Sequence, residues 1–166
     1  ALNIQKRFKD NIGMQDRGFT YASLSRLYLD MSKLDKAEKY ILKSIDIQKK
    51  LIGIKNIEYT SRLIDYANVQ NAKGLLSKEI EIYNNILDIY KQIDYKGQQL
   101  GDVLNNLGLA YYDLGKYKNA EKYLKQAQEN TIISFGRKNI DYANTLHNLA
   151  LVYGEQGLFQ KSEDSF

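Results

Sequence analysis

A single histidine, His147, and the absence of cysteine restrict the chemistry open to this chain. One imidazole cannot build a metal cluster, and without cysteine there are no thiolate ligands or nucleophiles. No spacing of carboxylates, or of a nucleophile with a base, suggests a reaction centre in a protected cleft. His147 precedes Asn148 in a helical stretch and reads as a polar surface residue. The glycines do not form the G-x-x-x-x-G-K-[ST] loop that cradles phosphate; they recur at long regular intervals, which assigns them to turns. No catalytic residue, metal or cofactor is expected.

Fourteen tyrosines with a net charge of +4 raise a second chemistry, the stacking of single-stranded nucleic acid on aromatic platforms. Periodicity argues against it. Tyr28, Tyr111 and Tyr153 fall in one apolar column of successive segments, where they serve as core. Lys36, Lys39 and Lys43, like Lys116, Lys118, Lys122 and Lys125, form solvated helix faces. Arginine, the commoner base reader, is scarce. No nucleic-acid partner is expected, and no membrane either, since no run approaches the roughly 18 apolar residues of a span. The opening residues lack the basic-then-apolar order of a signal peptide, so the expectation is a soluble, cytoplasmic chain. It starts on Ala1 and stops at Phe166 inside an apolar pattern, as would a piece of a longer array.

The elements that carry these residues are helices. Proline, which costs about 3 kcal/mol in a helix interior, is absent throughout. From Leu104 the chain reads LNNLGLAYYDLGKYKNAEKYLKQAQ, and Leu107, Gly108, Tyr111, Gly115 and Tyr117 recur 42 residues later as Leu149, Ala150, Tyr153, Gly157 and Phe159. Tyr21, Leu24, Ser25, Tyr28, Leu34 and Ala37 fit the same frame, as do Leu63, Tyr66, Ala67, Gly74 and Leu76. The connectors GIKNIEY at Gly53 and GRKNIDY at Gly136 lie 83 residues apart. Leu104, Leu107, Gly108 and Tyr111 have the i, i+3, i+4, i+7 spacing of one helix face, and Tyr117, Ala120, Leu124 and Ala127 repeat it on a second helix. Gly115 is the turn between them. Small residues at Gly108, Ala67, Ala150, Ala37 and Ala120 let paired helices approach closely. Gly53, Gly97 and Gly136 are expected to end the second helices in left-handed conformation, and Asn139 or Asp141 to cap the next helix. The repeats run 18–58, 60–100, 101–141 and 143–166, the last truncated, with 1–15 resembling the end of a preceding repeat.

The order large, Leu, Gly/Ala, Tyr, then Gly-x-Tyr/Phe-x-x-Ala resembles the tetratricopeptide repeat. The 42-residue period, with its GxxN-I-D-x-A connector and L-x-N-L-A first helix, is similar to the long-repeat, kinesin-light-chain-like subclass. Gln70, where the other copies have Tyr, and Glu79, where repeats one and three have Ala, depart from that pattern and leave the packing of repeat two open. The resemblance implies an all-α solenoid of antiparallel helix pairs, each touching its neighbours and winding into a right-handed superhelix. It also implies that the first-helix face opposite the apolar seam lines a concave wall that receives peptides or partner helices.

Carried onto this sequence, the wall comprises Phe19, Ala22, Ser23, Arg26, Leu29 and Asp30; Ser61, Ile64, Asp65, Asn68, Asn71 and Ala72; Asp102, Asn105, Asn106, Leu109, Tyr112 and Asp113; and Asn144, His147, Asn148, Leu151, Gly154 and Glu155. Asparagine is over-used there, and an amide can both donate to and accept from a peptide backbone. Arg26 stands against five carboxylates, a wall of net charge −4 in a chain of net +4. A concave acidic surface attracts basic segments. The expected role is a protein-interaction scaffold for a basic or neutral peptide or partner segment. The alternative is a peptide-sensing arm of a larger regulatory protein. The uncovered ends are expected to allow end-to-end self-stacking.

Overall fold

The structure, a computed structural model, describes the backbone of residues 2–158 and the side chains of residues 12–158. The segment after Leu158, including Phe159 and the expected second helix of repeat four, lies outside the described residues, as do the side chains of 1–11. Seven helices follow one another among the described residues: α1 (Leu2–Asp30), α2 (Leu34–Ile52), α3 (Ile57–Ala72), α4 (Leu76–Gln92), α5 (Gln98–Asp113), α6 (Tyr117–Phe135) and α7 (Ile140–Glu155). Residues 2–30 are a single helix, so the segment likened to an earlier repeat runs without a break into the first helix of repeat one.

The chain divides into two compact units, residues 1–78 and 79–166. In the first, α1 and α2 pack as a pair and α3 lies against both. Ala37, Ile41 and Val69 form the core, with Tyr28, Leu29, Ile45 and Tyr66 against it. Ser25 occupies a small-residue position and is buried; its hydroxyl donates to the Ala37 carbonyl at 2.8 Å, satisfying a polar group that burial would otherwise penalise.

In the second unit α5 pairs with α6, and α7 joins them. Ala120, Leu124, Leu149, Val152 and Tyr153 are the core. Each such large aliphatic residue contributes about 2 kcal/mol by leaving water. The α5–α6 approach depends on Gly108, where a Cβ would lie 2.7 Å from Leu124 Cγ. Tyr153 is buried, whereas Tyr28 and Tyr111 are half-buried. They stack on the second helix of their own repeat, Tyr28 on Tyr40 and Tyr111 on Tyr123, each with ring centroids 5.4 Å apart. The apolar column is thus partly a stacked edge and not wholly enclosed core.

Helix ends repeat as well. α1, α3, α5 and α7 all stop with an N–H bonding five residues back, from Lys33, Leu75, Lys116 and Leu158 to Tyr28, Gln70, Tyr111 and Tyr153. The residue before each donor has positive φ: Gly74, Gly115 and Gly157, but Ser32 (φ 55°) in repeat one. Asn56 and Asn139 cap α3 and α7, accepting from the backbone N–H groups of Tyr59 and Asp141. The expectation for Gly97 is corrected. Gly97 has φ −76° and stands at the start of α5, while Asp94 (φ 50°) takes the left-handed position after α4. The Tyr95 N–H then bonds back to the Tyr90 carbonyl, so the chain turns three residues earlier than the glycine suggested.

Candidate functional site

The wall residues lie on α1 and α3 in the first unit and on α5 and α7 in the second. The side away from the seam leaves Ser23, Arg26, Asp30, Asn68, Asn71, Asp102, Asp113, His147, Leu151 and Glu155 exposed, and Asp65, Asn105, Asn106, Leu109, Tyr112 and Asn148 half-buried. Of the wider wall, Ala22 is buried and offers no surface.

In the first unit the wall is bound up with itself. Arg26 on α1 grips Asp65 on α3 with two parallel hydrogen bonds, Nε to Oδ1 at 3.0 Å and Nη2 to Oδ2 at 2.9 Å. That planar fork suits a carboxylate. Asp65 raises the Arg26 pKa, through the hydrogen bond first and its charge second. A second guanidinium reaches the same carboxylate: Arg62 Nη1 lies 3.5 Å from Asp65 Oδ2. Arg62 is buried, and its guanidinium carbon sits 5.1 Å from the Phe19 ring centroid. Sequence reasoning missed Arg62, which lies one position before the seam residue Leu63 and outside the expected wall. With it, two guanidiniums meet the Asp65 carboxylate, and the charges of Arg26 and Arg62 match those of Asp30 and Asp65 in this unit.

In the second unit Asn148 Nδ2 donates to Asn105 Oδ1 at 2.9 Å, joining α7 to α5. Asn106 is held by the hydroxyl of Tyr83, a fully buried ring whose pKa is raised chiefly by burial. Asp102, Asp113 and Glu155 stand on this wall, and none of the wall positions of α5 or α7 is a lysine or arginine. The acidic character expected of the whole wall is therefore concentrated on α5 and α7. Between these helices and the end of α6 lies a cavity of about 270 Å³ whose lining includes Asp102, Asp141, Thr131 and Thr145. Burial, and then the charge of Asp141, raise the Asp102 pKa.

Glu38 on α2, which the helix pattern places on the outer face, is not an inert surface residue. It accepts from Tyr66 Oη (3.3 Å), Gln70 Nε2 (3.0 Å) and Lys73 Nζ (2.7 Å). This explains Gln70: fully buried, it gives its amide to the neighbouring helix pair instead of filling space as tyrosine does. Glu79 is buried too.

Among the described residues no group of three or more His, Cys, Asp or Glu side chains could hold a metal ion. No helix there is long and apolar enough to cross a membrane.

Antiparallel helix pairs with a recurring turn, a small-residue approach and a polar first-helix face define an all-α helical repeat protein. Tetratricopeptide-repeat models match residues 20–51 and 99–166. The chain belongs to the tetratricopeptide-repeat family. No curated protein matches it in sequence.

Solved structures share the all-α solenoid fold. BtubC (BKLC) from P. vanneervenii is 22% identical with a TM-score of 0.80, over 89% of this chain and 59% of that one. The nearly identical TPR-like repeats of a kinesin-light-chain candidate from Podosopora anserina are 18% identical, with a TM-score of 0.80 over 91% and 72% of the two chains. A Rap protein complexed with Competence and Sporulation Factor is 17% identical, with a TM-score of 0.76 over 92% and 41%. The chain thus spans about three-fifths of BtubC and two-fifths of the Rap protein.

Proposed function

We propose that this chain is a protein-interaction module that receives a peptide or partner segment along the wall of its first helices, with α5 and α7 favouring a basic or neutral one. The observation that carries the reading is the contrast between the two units. The carboxylate of Asp65 is already engaged by Arg26 and Arg62, whereas Asp102, Asp113 and Glu155 share a wall with asparagines, Leu109, Tyr112, His147 and Leu151 and with no lysine or arginine. Such a surface offers backbone hydrogen bonding, apolar contact and a negative potential together. A sensing role within a larger protein is the second reading. It is supported by the fold shared with a Rap protein complexed with Competence and Sporulation Factor.

The test places a photo-crosslinking amino acid at Leu151 on the wall or at Lys122 on α6, both exposed. The reading expects irradiation with cell extract to join one recurring segment to position 151, competed by that segment as a free peptide, and not to position 122. Equal labelling of both positions would contradict it.

A further inference from the structure

Residues 83 apart are equivalent in the two units, as their packing shows. Ala37 and Ala120 are fully buried, as are Ile41 and Leu124, and the stacked pair Tyr28–Tyr40 corresponds to Tyr111–Tyr123. In that register Arg62 corresponds to Thr145 and Phe19 to Asp102. In the first unit the space between these two positions holds the Arg62 guanidinium, lying over the Phe19 ring and beside Asp65. In the second unit the arginine is the small, buried Thr145, the aromatic ring is a carboxylate, and the space is the 270 Å³ cavity. Asp102 and Asp141 both line it, together with Asn105, Asn106 and Thr131. No lysine or arginine is in the lining.

We propose that this cavity receives one arginine side chain of the bound segment, whose guanidinium occupies the place that Arg62 fills from within the chain in the first unit. The proposal rests on the interaction-module reading and names the chemistry of one contact in it. A guanidinium has five N–H donors in a planar fork and no acceptor. The cavity supplies carboxylate, amide and hydroxyl oxygens to meet them. Two like charges facing one cavity are relieved by a cation between them.

The test titrates the isotope-labelled chain with N-acetyl-arginine amide and, in parallel, with N-acetyl-citrulline amide, which has the same shape without the charge. The proposal expects saturable shifts of the Thr131, Asn144 and Thr145 backbone amides with arginine and none with citrulline. Asp102→Asn should weaken the arginine response about tenfold. Thr145→Arg, which supplies the side chain internally, should abolish it while the helical circular-dichroism spectrum is kept. Should that variant lose its helices, the Asp102→Asn titration decides alone. Equal responses to the two probes, no saturable response, or binding unchanged in either folded variant would overturn the proposal. Failure here with segment-specific cross-linking at position 151 intact removes the arginine pocket and leaves the interaction module standing. Equal labelling of positions 151 and 122 removes the module instead.

Discussion

The Arg26 guanidinium and the Asp65 carboxylate, from neighbouring first helices, meet in a two-pronged hydrogen bond of 2.9 and 3.0 Å, with Arg62 3.5 Å from the same carboxylate. The partners differ in exposure. Arg26 is open to solvent, so Arg26→Ala should cost about 1 kcal/mol or less. Arg62 is buried and its Nε has no hydrogen-bond partner, so Asp65→Ala strands a buried charge and should cost about 3 kcal/mol. Urea unfolding of the two variants checks the order; equal losses would show that Asp65 does not hold Arg62.

Repeat one uses Ser32 at the left-handed turn where later repeats use glycine. A side chain there costs roughly 1 kcal/mol. Ser32→Gly should therefore raise the unfolding free energy by about 1 kcal/mol, and Gly115→Ser should lower it by a similar amount. Matched thermal melts of both variants test this, and a loss on Ser32→Gly would refute it.

Gly108 is required by close approach and not by conformation. An added methyl group would lie 2.7 Å from Leu124 Cγ and 3.4 Å from the Ala120 carbonyl oxygen. Gly108→Ala should cost about 2 kcal/mol through overpacking, despite alanine's better helix propensity. A neutral or stabilising result in chemical denaturation would show that α5 and α6 can separate without penalty.

The Glu38 network fixes a pH dependence. Its hydrogen bond to Lys73 holds the Glu38 pKa below the usual 4.5, against the opposing effect of burial. A depressed carboxylate pKa contributes stability above the unfolded value and loses it as pH falls through the folded value. Lys73 is pushed up to about 12, by the Glu38 hydrogen bond first and by Asp35 next. Its contribution is full below pH 10.5 and is lost as pH rises through the folded value. The stability difference between wild type and Glu38→Gln should be constant across neutral pH and shrink below about pH 4.5. A difference that grows toward acid would contradict the assignment.

What the sequence revealed depended on how local the physics was. The helix pairs, the small residues at Gly108, Ala120 and Ala150 and the Asn139 cap follow from spacing along one or two neighbouring turns. The Asp94 turn was hidden because Gly97, three residues on, offered the more usual residue for it. Arg62 and Glu38 were hidden for another reason. Their partners come from distant parts of the chain, Arg62 lying over the Phe19 ring of α1 and Glu38 receiving Lys73 across 35 residues. Helix periodicity assigns a face but not the residue opposite it, so the wall's charge was legible as composition and not as distribution.

The central claim, that a partner segment lies along the acidic wall of α5 and α7, is tested most directly by association kinetics with the segment recovered at position 151. Asp113→Lys with Glu155→Lys reverses the wall charge, while Asp88→Lys with Glu129→Lys makes the same change at exposed positions on α4 and α6. The account predicts that the wall pair slows association about tenfold at low salt and flattens its salt dependence. The control pair should leave both within about twofold. Equal effects from the two pairs, or faster association with the reversed wall, would contradict it.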